Sequence, residues 1–422
     1  MKKILTIAIA LLMVAVVTAT AVYFLFPYQP DQPPQTDDTG STPSGIQQVV
    51  NANNQFAFDL YSKYKDDPKY KDANIFFSPY SISTALAMTY EGAKGQTANE
   101  MKSVFHFPES DILRPNSAAI YNNINKKDKP YKLMTGNALW AQYDYQFLEE
   151  YFSRVEQYYG GKVANLDFKQ EPEKSRQTIN SFIEQQTNNK IRELLPKNPP
   201  VIKSDTRLVL TNAIYFKGDW VLQFDKSKTR EADFKVTPTQ SVKAQMMTLT
   251  GEKAKFNYAE TENLQILEMP YKGEELSMLV LLPKEGASEE FEKSLSLEKL
   301  NEWKNSLQER RIDVYMPKFK FETKYFMNED LKAMGMPTAF SMAADFSGMT
   351  GSQDLFIDNV IHQAFIEVNE EGTEAAAATA VIMAEKAIMS EFFRADHPFI
   401  FIIQEKETGN ILFMGRMGDP TQ

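Results

Sequence analysis

One segment near the C-terminus combines strong helix propensity with a pattern that a surface helix cannot use. Residues 370–391 read EEGTEAAAATAVIMAEKAIMSE, with Thr373 placed to serve as N-cap, Glu374 in the first turn and a run of alanines behind them. The larger apolar residues of the segment cluster instead of recurring every third or fourth position, so no amphipathic face can be drawn. The fold must therefore use this segment as something other than an ordinary surface helix.

Composition limits the classes of function. The chain has 422 residues, 43% of them hydrophobic, which is enough for a large core in one big domain or two ordinary ones. Its formal net charge of -10 disfavours a polyanionic partner, so we expect no nucleic-acid binding. The absence of cysteine excludes disulfides and thiolate chemistry, and the three histidines, His106, His362 and His397, make a histidine metal cluster improbable.

The motifs of common enzymes are absent from the sequence. It contains no G-x-S-x-G, H-E-x-x-H or G-x-x-x-x-G-K-[ST] pattern. With 56 Asp and Glu residues, neighbouring carboxylates are expected by chance, so no acid/base pair can be singled out. The sequence therefore predicts a protein that is not an enzyme, with no catalytic residue, no cofactor and no metal.

The N-terminal sequence predicts that the chain is targeted to a membrane. Residues 1–26 carry a short basic head followed by 23 uncharged residues, and are either a cleaved signal peptide or a retained membrane anchor. Residues 27–45 are rich in Pro, Gln, Thr and Ser and predict a linker. Residues 46–422 predict one globular domain outside the cytoplasm, which contacts the membrane only through the N-terminal segment.

The globular part has helical patterns early and strand patterns late. QVVNANNQFAFDLYSKY and SISTALAMTYEGAKGQTANEM show apolar spacings of three and four, whereas TRLVLTNAIYF, LSMLVLLP, RIDVYMPKFKFE and HPFIFII are short runs typical of strands. Within them, KFKFE alternates strictly, which predicts one dry and one wet face. Helices followed by strands without regular alternation predict an α+β fold with antiparallel later strands.

Seven separated motifs resemble segments of the serpin family of serine protease inhibitors, prokaryotic type, in the family's order from Gln47 to Pro420. The resemblance implies three β-sheets surrounded by about eight or nine α-helices, with an exposed reactive-centre loop near the C-terminus. The motifs are NIFFSPYSISTALAM, TNAIYFKGDWVLQF, MPYKGEELSMLVLLP, MPKFKFET, MGMPTAFSMAADFSGM, VIHQAFIEVNEEGTEAAAATA and ADHPFIFIIQEKETGNILFMGRMGDP.

The resemblance also implies a use for the alanine-rich segment. In serpins the exposed loop is bait for a protease and, once cleaved, inserts into the main sheet as a new central strand. If insertion begins at Thr373, one face of the strand carries only small or apolar residues, and the charge of Glu374 points outward. Gly372, just before this strand, can adopt backbone angles that other residues resist, which suits a pivot for the inserting loop. The implied hinge comprises Glu370, Glu371, Gly372, Thr373, Glu374, Ala375, Ala376, Ala377, Ala378 and Thr379.

The same alignment implies a reactive bond between Lys386 and Ala387. A lysine before the cut fits a protease pocket with an acidic floor, as in trypsin-like enzymes. Loop lengths vary in the family, so Glu385, Ala387 or Ile388 remain alternatives, with subtilisin-like or elastase-like proteases as alternative targets.

Further residues fall on family positions with structural roles. Ser78, Ser81, Asn212 and His362 correspond to the polar shutter beneath the main sheet, and Trp220 to the breach where the loop first enters. Residues 125–132, NKKDKPYK, are either a polyanion site or a solvated loop, and we expect no polyanion activator.

Together these features predict a monomeric suicide-substrate inhibitor of a serine protease, trypsin-like by its bait residue. The main alternative is a non-inhibitory serpin that acts as a carrier, chaperone or storage protein. Such members carry charged or bulky hinge residues, whereas residues 373, 375 and 377 of this chain are small and uncharged.

Overall fold

The first long helix begins where the sequence provides both a cap and a proline. In a computed structural model, which describes residues 35–71, 73–126, 128–373 and 391–422, helix α1 (Pro43–Lys65) starts beside Thr42, whose side chain accepts a hydrogen bond from the Gly45 amide. One face of α1 is buried. The predicted helix in this region is confirmed.

The second predicted helical stretch forms two helices, α2 (Pro79–Tyr90) and α3 (Gly95–Phe105). Gly95 has φ +51°, a conformation that favours glycine and separates the two. The remaining α-helices of the described residues are α4 (Ser110–Ile124), α5 (Glu149–Tyr159), α6 (Pro172–Gln186), α7 (Ser288–Ser294), α8 (Leu297–Asn305), α9 (Asn328–Met334) and α10 (Ser347–Thr350).

The strands occupy mainly the later part of the chain, as predicted. They are β1 (Ile75–Phe77), β2 (Tyr131–Thr135), β3 (Ala138–Gln142), β4 (Lys162–Leu166), β5 (Leu208–Asp219), β6 (Arg230–Thr237), β7 (Gln240–Leu249), β8 (Lys255–Glu260), β9 (Leu264–Pro270), β10 (Leu276–Pro283), β11 (Gln308–Pro317), β12 (Phe319–Phe326), β13 (Asn359–Val368), β14 (Gly372–Thr373), β15 (Glu391–Arg394), β16 (Phe399–Glu405) and β17 (Ile411–Met417).

Two hydrogen-bonded networks contain these strands. The central sheet has the order β12-β13-β14-β5-β3-β4, with β2 also paired to β5. The second network runs β1-β17-β16-β10-β9-β8-β11-β7-β6. Its strand β11 pairs with β8 through its first half and with β7 and β15 through its second half, so two sheets share this strand. The α+β fold with three sheets is confirmed.

Most strand pairs are antiparallel, but β13 pairs with β5, β3 with β4 and β11 with β15 in parallel. In β12, Phe319 is buried while Lys320 and Glu322 are exposed, which confirms the alternation read from KFKFE.

The core lies in layers on either side of the central sheet. One cluster fills the space between the two strand networks and includes Phe216, Trp220 and Phe401. A second cluster lies outside the central sheet, where Ile179 and Ile183 of α6 pack against Trp140. Apolar burial on both faces stabilises the sheet and limits what another strand inserted into it can carry.

Residues 35–422 form one compact unit, which begins inside the predicted linker. Thr36 is buried, its amide donates to Asn122 Oδ1 at 3.0 Å, and its hydroxyl donates to the Ala118 carbonyl at 3.1 Å. None of the helices in the described residues combines the length and the hydropathy of a membrane span. The predicted signal peptide or anchor, residues 1–26, and the linker up to residue 34 lie outside the described residues.

Candidate functional site

The central sheet has a seam along which its two middle strands meet. Strands β13 and β5 hydrogen-bond directly from the pair Asn359–Val209 to the pair Phe365–Tyr215, and we call these seven pairs the seam. Past Phe365 the two strands separate, and the short strand β14 pairs with both of them, antiparallel to each. The sheet is therefore closed along the seam and open at one end.

A buried hydrogen bond joins the two strands at the middle of the seam. His362 of β13 and Asn212 of β5 are partners in the sheet register, and His362 Nδ1 bonds to Asn212 Oδ1. The other ring nitrogen, Nε2, accepts a hydrogen bond from the Ser78 amide at 3.1 Å. Because Nε2 is an acceptor, the proton of the neutral ring is on Nδ1, which donates to Asn212.

The start of helix α2 extends this network beneath the sheet. Ser78 caps the helix by accepting from the Ser81 amide at 3.1 Å, and its hydroxyl donates to the Leu412 carbonyl at 2.6 Å. The Asn212 amide donates to Ser81 Oγ and to Asn137 Oδ1. The structure thus brings Ser78, Ser81, Asn212 and His362 together in one buried network.

Asn137 belongs to this network but was missed by the sequence analysis. It follows Gly136 at the break between β2 and β3, and it also accepts from the Ser81 hydroxyl at 3.0 Å. Its polar side chain at a break between two strand-like runs is the only hint that the sequence gives.

Burial keeps the network neutral. Removal from water lowers the pKa of His362 to about 3, although a hydrogen bond with the backbone of Asn212 opposes that shift. The imidazole is therefore uncharged at neutral pH, as a histidine enclosed by apolar strands must be unless it is paired with a carboxylate.

The first hinge residues already lie in the central sheet. Thr373 pairs with Val368 of β13 and with Gly218 of β5, and its hydroxyl is 2.8 Å from the Tyr271 hydroxyl. A Cβ on Gly372 would lie 2.1 Å from the Gly218 carbonyl oxygen. Glycine is therefore required for close backbone approach and not for a positive φ, since Gly372 is not among the described glycines with φ above zero.

The two glutamates before the hinge glycine are buried and paired. Glu370 accepts from Thr229 Oγ1 at 2.8 Å and from Lys318 Nζ at 3.1 Å, and Glu371 forms an ion pair with Lys226. Burial raises the pKa of Glu370, but hydrogen bonds from its own backbone, Thr229 and Lys318 outweigh it, so the pKa lies below its ordinary value. Glu370 is thus held as a carboxylate.

Trp220 fixes the turn that leads into the hinge. Its ring stacks on Tyr271 with centroids 4.5 Å apart, and its Nε1 donates to the Asn369 carbonyl at 3.1 Å. Its backbone amide donates to the Glu371 carbonyl at 2.8 Å. Tyr271 and Asn369 were not identified from sequence, although Asn369 directly precedes the hinge.

Other predicted residues lie outside the described part of the chain. They are the hinge residues Glu374, Ala375, Ala376, Ala377, Ala378 and Thr379 and the reactive bond of Lys386 and Ala387. In the lysine-rich stretch, Lys129 forms an ion pair with Glu275, while Lys126 and Lys132 are exposed. Within the described ranges, no three His, Cys, Asp or Glu side chains are grouped so that they could hold a metal ion.

Comparison with known proteins identifies the family to which this sheet belongs. The family model described as Serpin (serine protease inhibitor) matches residues 51–420. This chain belongs to the serpin family. An uncharacterised serpin-like protein of Thermococcus kodakarensis is 44% identical over 378 residues, which cover 88% of this chain and 86% of that protein. The leukocyte elastase inhibitor of Equus caballus is 40% identical over 385 residues, covering 89% and 100%.

Solved serpin structures share the fold. Uncleaved ovalbumin superposes with a TM-score of 0.80 at 35% identity, covering 88% of this serpin and 100% of ovalbumin. Human thyroxine-binding globulin, complexed with thyroxine, gives a TM-score of 0.81 at 32% identity, covering 90% of this serpin and 100% of the globulin. The serpin fold predicted from the seven motifs is confirmed.

Proposed function

We propose that this serpin inhibits a trypsin-like serine protease as a suicide substrate, with Lys386–Ala387 as the reactive bond. The observation that supports this most is the register of β14. Thr373 is paired with residue 368 on one side and residue 218 on the other. An antiparallel strand continued from there would place residue 376 opposite both Phe365 and Tyr215, which are themselves partners across the seam.

The register of β14 is thus compatible with both neighbours along the whole seam. Further insertion needs no slip of either strand, only the breaking of the direct β13–β5 bonds and their replacement by bonds to the new strand. The seam would open from the end where β14 already lies. This geometry supports insertion of the cleaved loop as an additional strand of the central sheet.

The side chains of the loop fit the space beneath the seam. Thr373 faces the buried Tyr271, so Ala375, Ala377 and Thr379, which share its parity, would face the same core. None of them is charged or bulky. Since each would enter between strands that are already packed, small side chains keep the steric cost of insertion low.

Inhibition then depends on a kinetic race. The protease attacks the Lys386 carbonyl through its serine and forms an acyl-enzyme, and Ala387 leaves as a new amino terminus. If the loop inserts before water hydrolyses the ester, the attached protease is displaced and stays trapped. If hydrolysis is faster, the serpin is consumed as a substrate.

Incubation with trypsin tests the proposal directly. We expect a covalent complex that survives SDS, and a released C-terminal peptide that begins with Ala387. An elastase-like and a subtilisin-like enzyme in the same panel test the alternatives: a stable complex with one of them, and a released peptide that begins at Lys386, Ile388 or Met389, would shift the bond and the target. Cleavage without a stable complex would contradict inhibition.

Two substitutions at residue 377 separate insertion from recognition by the protease. Ala377→Arg would bury a guanidinium in the core beneath the seam once the loop inserts, and should turn the inhibitor into a substrate that is cleaved without complex formation. Ala377→Ser is the matched control, because it stays small and adds no charge. Equal amounts of complex from both variants would contradict insertion at this position.

A non-inhibitory role as a carrier remains the second candidate, because the structural neighbours include a thyroxine-binding protein. Heating distinguishes the two. After cleavage in the loop, an inserting serpin should melt at a much higher temperature than the intact protein, whereas a carrier that does not insert should melt unchanged. We propose that the inhibitor acts as a monomer outside the cytoplasm, tethered or secreted through residues 1–26.

A further inference from the structure

The outer face of the central sheet carries two lysines side by side near its open end. Lys132 of β2 and Lys217 of β5 are partners in the antiparallel register, so their side chains lie on the same face of the sheet. The residues on either side of each lysine are buried, whereas Lys132 is exposed and Lys217 is half-buried. Like charges directly opposite one another destabilise a sheet, so a carboxylate beside this pair would be stabilising.

Within the part of the chain that the structure describes, neither lysine is joined to a carboxylate. The acidic groups nearest to them are already paired: Glu275 with Lys129, and Asp219 with Lys272 at 2.9 Å. The two lysines therefore remain available to an acidic group that arrives from elsewhere.

The same row of the sheet continues on the far side of a gap. Glu367 of β13 is the register partner of Lys320 of β12, and their charged groups are 3.4 Å apart. Direct bonding between β13 and β5 ends at the pair Phe365–Tyr215, so nothing bridges the two strands at the level of Glu367 and Lys217. The row thus holds three lysines, one glutamate and an empty strand position between them.

The register of β14 shows which residue would enter this gap. One place beyond Thr373, the antiparallel pairing puts residue 374 opposite Glu367 on one side and Lys217 on the other. Thr373 faces the buried Tyr271, so Glu374, with the opposite parity, would face outward with the lysines. Glu374 itself lies outside the described residues. Because the gap precedes the seam, this residue enters before any direct β13–β5 bond breaks.

The charges of the row favour a carboxylate in the gap. Lys217 and Glu367 would each lie one strand away, at about 4.8 Å, and their effects on the carboxylate nearly cancel. Lys132 and Lys320 would lie two strands away, and both attract it. The sum is a net attraction, modest because the outer face is partly open to water.

We infer that Lys217, supported by Lys132, is a positioning residue that seats the Glu374 carboxylate as the loop begins to insert. The only charged residue among residues 373–384 would then promote insertion instead of merely being tolerated on the outer face. This inference rests on the proposed function and specifies its first step.

A double-mutant cycle tests the seating. With trypsin, Glu374→Gln and Lys217→Gln should each raise the ratio of cleaved serpin to covalent complex about 1.5- to 5-fold, because insertion slows while hydrolysis of the acyl-enzyme does not. The double variant should be no worse than either single variant, since each removes the same interaction. Lys217→Arg should behave like the wild type.

Two controls separate this pairing from a change of net charge. Lys299→Gln alters an exposed lysine of α8 and should leave the ratio unchanged. In 1 M NaCl, where the Debye length is about 3 Å, the wild type and the variants should converge. An unchanged ratio in Lys217→Gln, or a double variant that loses the product of both single effects, would overturn the inference while a stable wild-type complex still supports inhibition.

If the wild type forms no complex, the proposed inhibition fails, and the seating is read from the loop-cleaved proteins. Cleaved Glu374→Gln and Lys217→Gln should then melt below the cleaved wild type in urea, and the double variant no lower. Equal melting temperatures would overturn the inference in that case too.

Discussion

Thr379→Val tests the register of the inserting strand at its most constrained point. Continuing the pairing of β14 places residue 379 opposite both Asn212 and His362, which are hydrogen-bonded to one another in the intact protein. Neighbouring strands lie about 4.8 Å apart, so a strand between them would separate these residues by nearly 10 Å and break their bond. The Thr379 hydroxyl can replace it, since it can donate to Asn212 Oδ1 and accept from His362 Nδ1–H.

The expected loss of stability follows from the buried groups that lose their partner when Thr379 is replaced by valine. Without the hydroxyl, one buried donor and one buried acceptor lose their partner, and each costs about 1–3 kcal/mol. We therefore expect the loop-cleaved form of Thr379→Val to be about 2–6 kcal/mol less stable than the cleaved wild type. The intact form should be unchanged, because His362 and Asn212 still pair with each other there.

Guanidinium chloride unfolding of the intact and cleaved forms measures both quantities. Thr379→Ser keeps the hydroxyl and serves as the matched control, so its cleaved form should unfold close to the wild-type midpoint. If cleaved Thr379→Val unfolds at the same midpoint as cleaved Thr379→Ser, residue 379 does not reach the seam in this register and the reasoning fails.

Three further predictions concern the described residues. Burial lowers the pKa of His362 from an ordinary 6.5 to about 3 in the folded protein. As the pH drops below 6.5 the unfolded chain therefore takes up a proton before the folded one, and the free energy of unfolding falls, by about 3 kcal/mol at pH 4. His362→Asn should remove this part of the pH dependence of denaturant unfolding. Gly372→Ala would place a methyl group against the Gly218 carbonyl, and we expect more serpin to be cleaved per protease inhibited in a stoichiometric titration. Tyr271→Phe removes the hydrogen bond to Thr373 and should destabilise the intact form by about 1 kcal/mol in the same unfolding assay, whereas unchanged stability would mean that the bond contributes nothing.

The sequence by itself determined the local choices. The apolar spacing of QVVNANNQFAFDLYSKY predicted the body of α1, the alternation of KFKFE predicted the two faces of β12, and the small residues after Gly372 favoured a use other than a surface helix; the cap at Thr42 fell inside the predicted linker. These features depend on neighbours within a few positions along the chain, which a pattern can record. The family motifs added the fold and the four shutter residues.

Only the tertiary structure decided which distant groups meet. Asn137 lies between β2 and β3, Asn212 lies in β5, and His362 follows 150 residues after Asn212, so their pairing in one dry network has no local pattern in the chain. The same holds for Gly372, whose requirement arises from the Gly218 carbonyl across the sheet. Strand register and burial are properties of contacts between remote segments, so the packed sheet alone fixes the neutrality of His362 and the match of β14 to both neighbours.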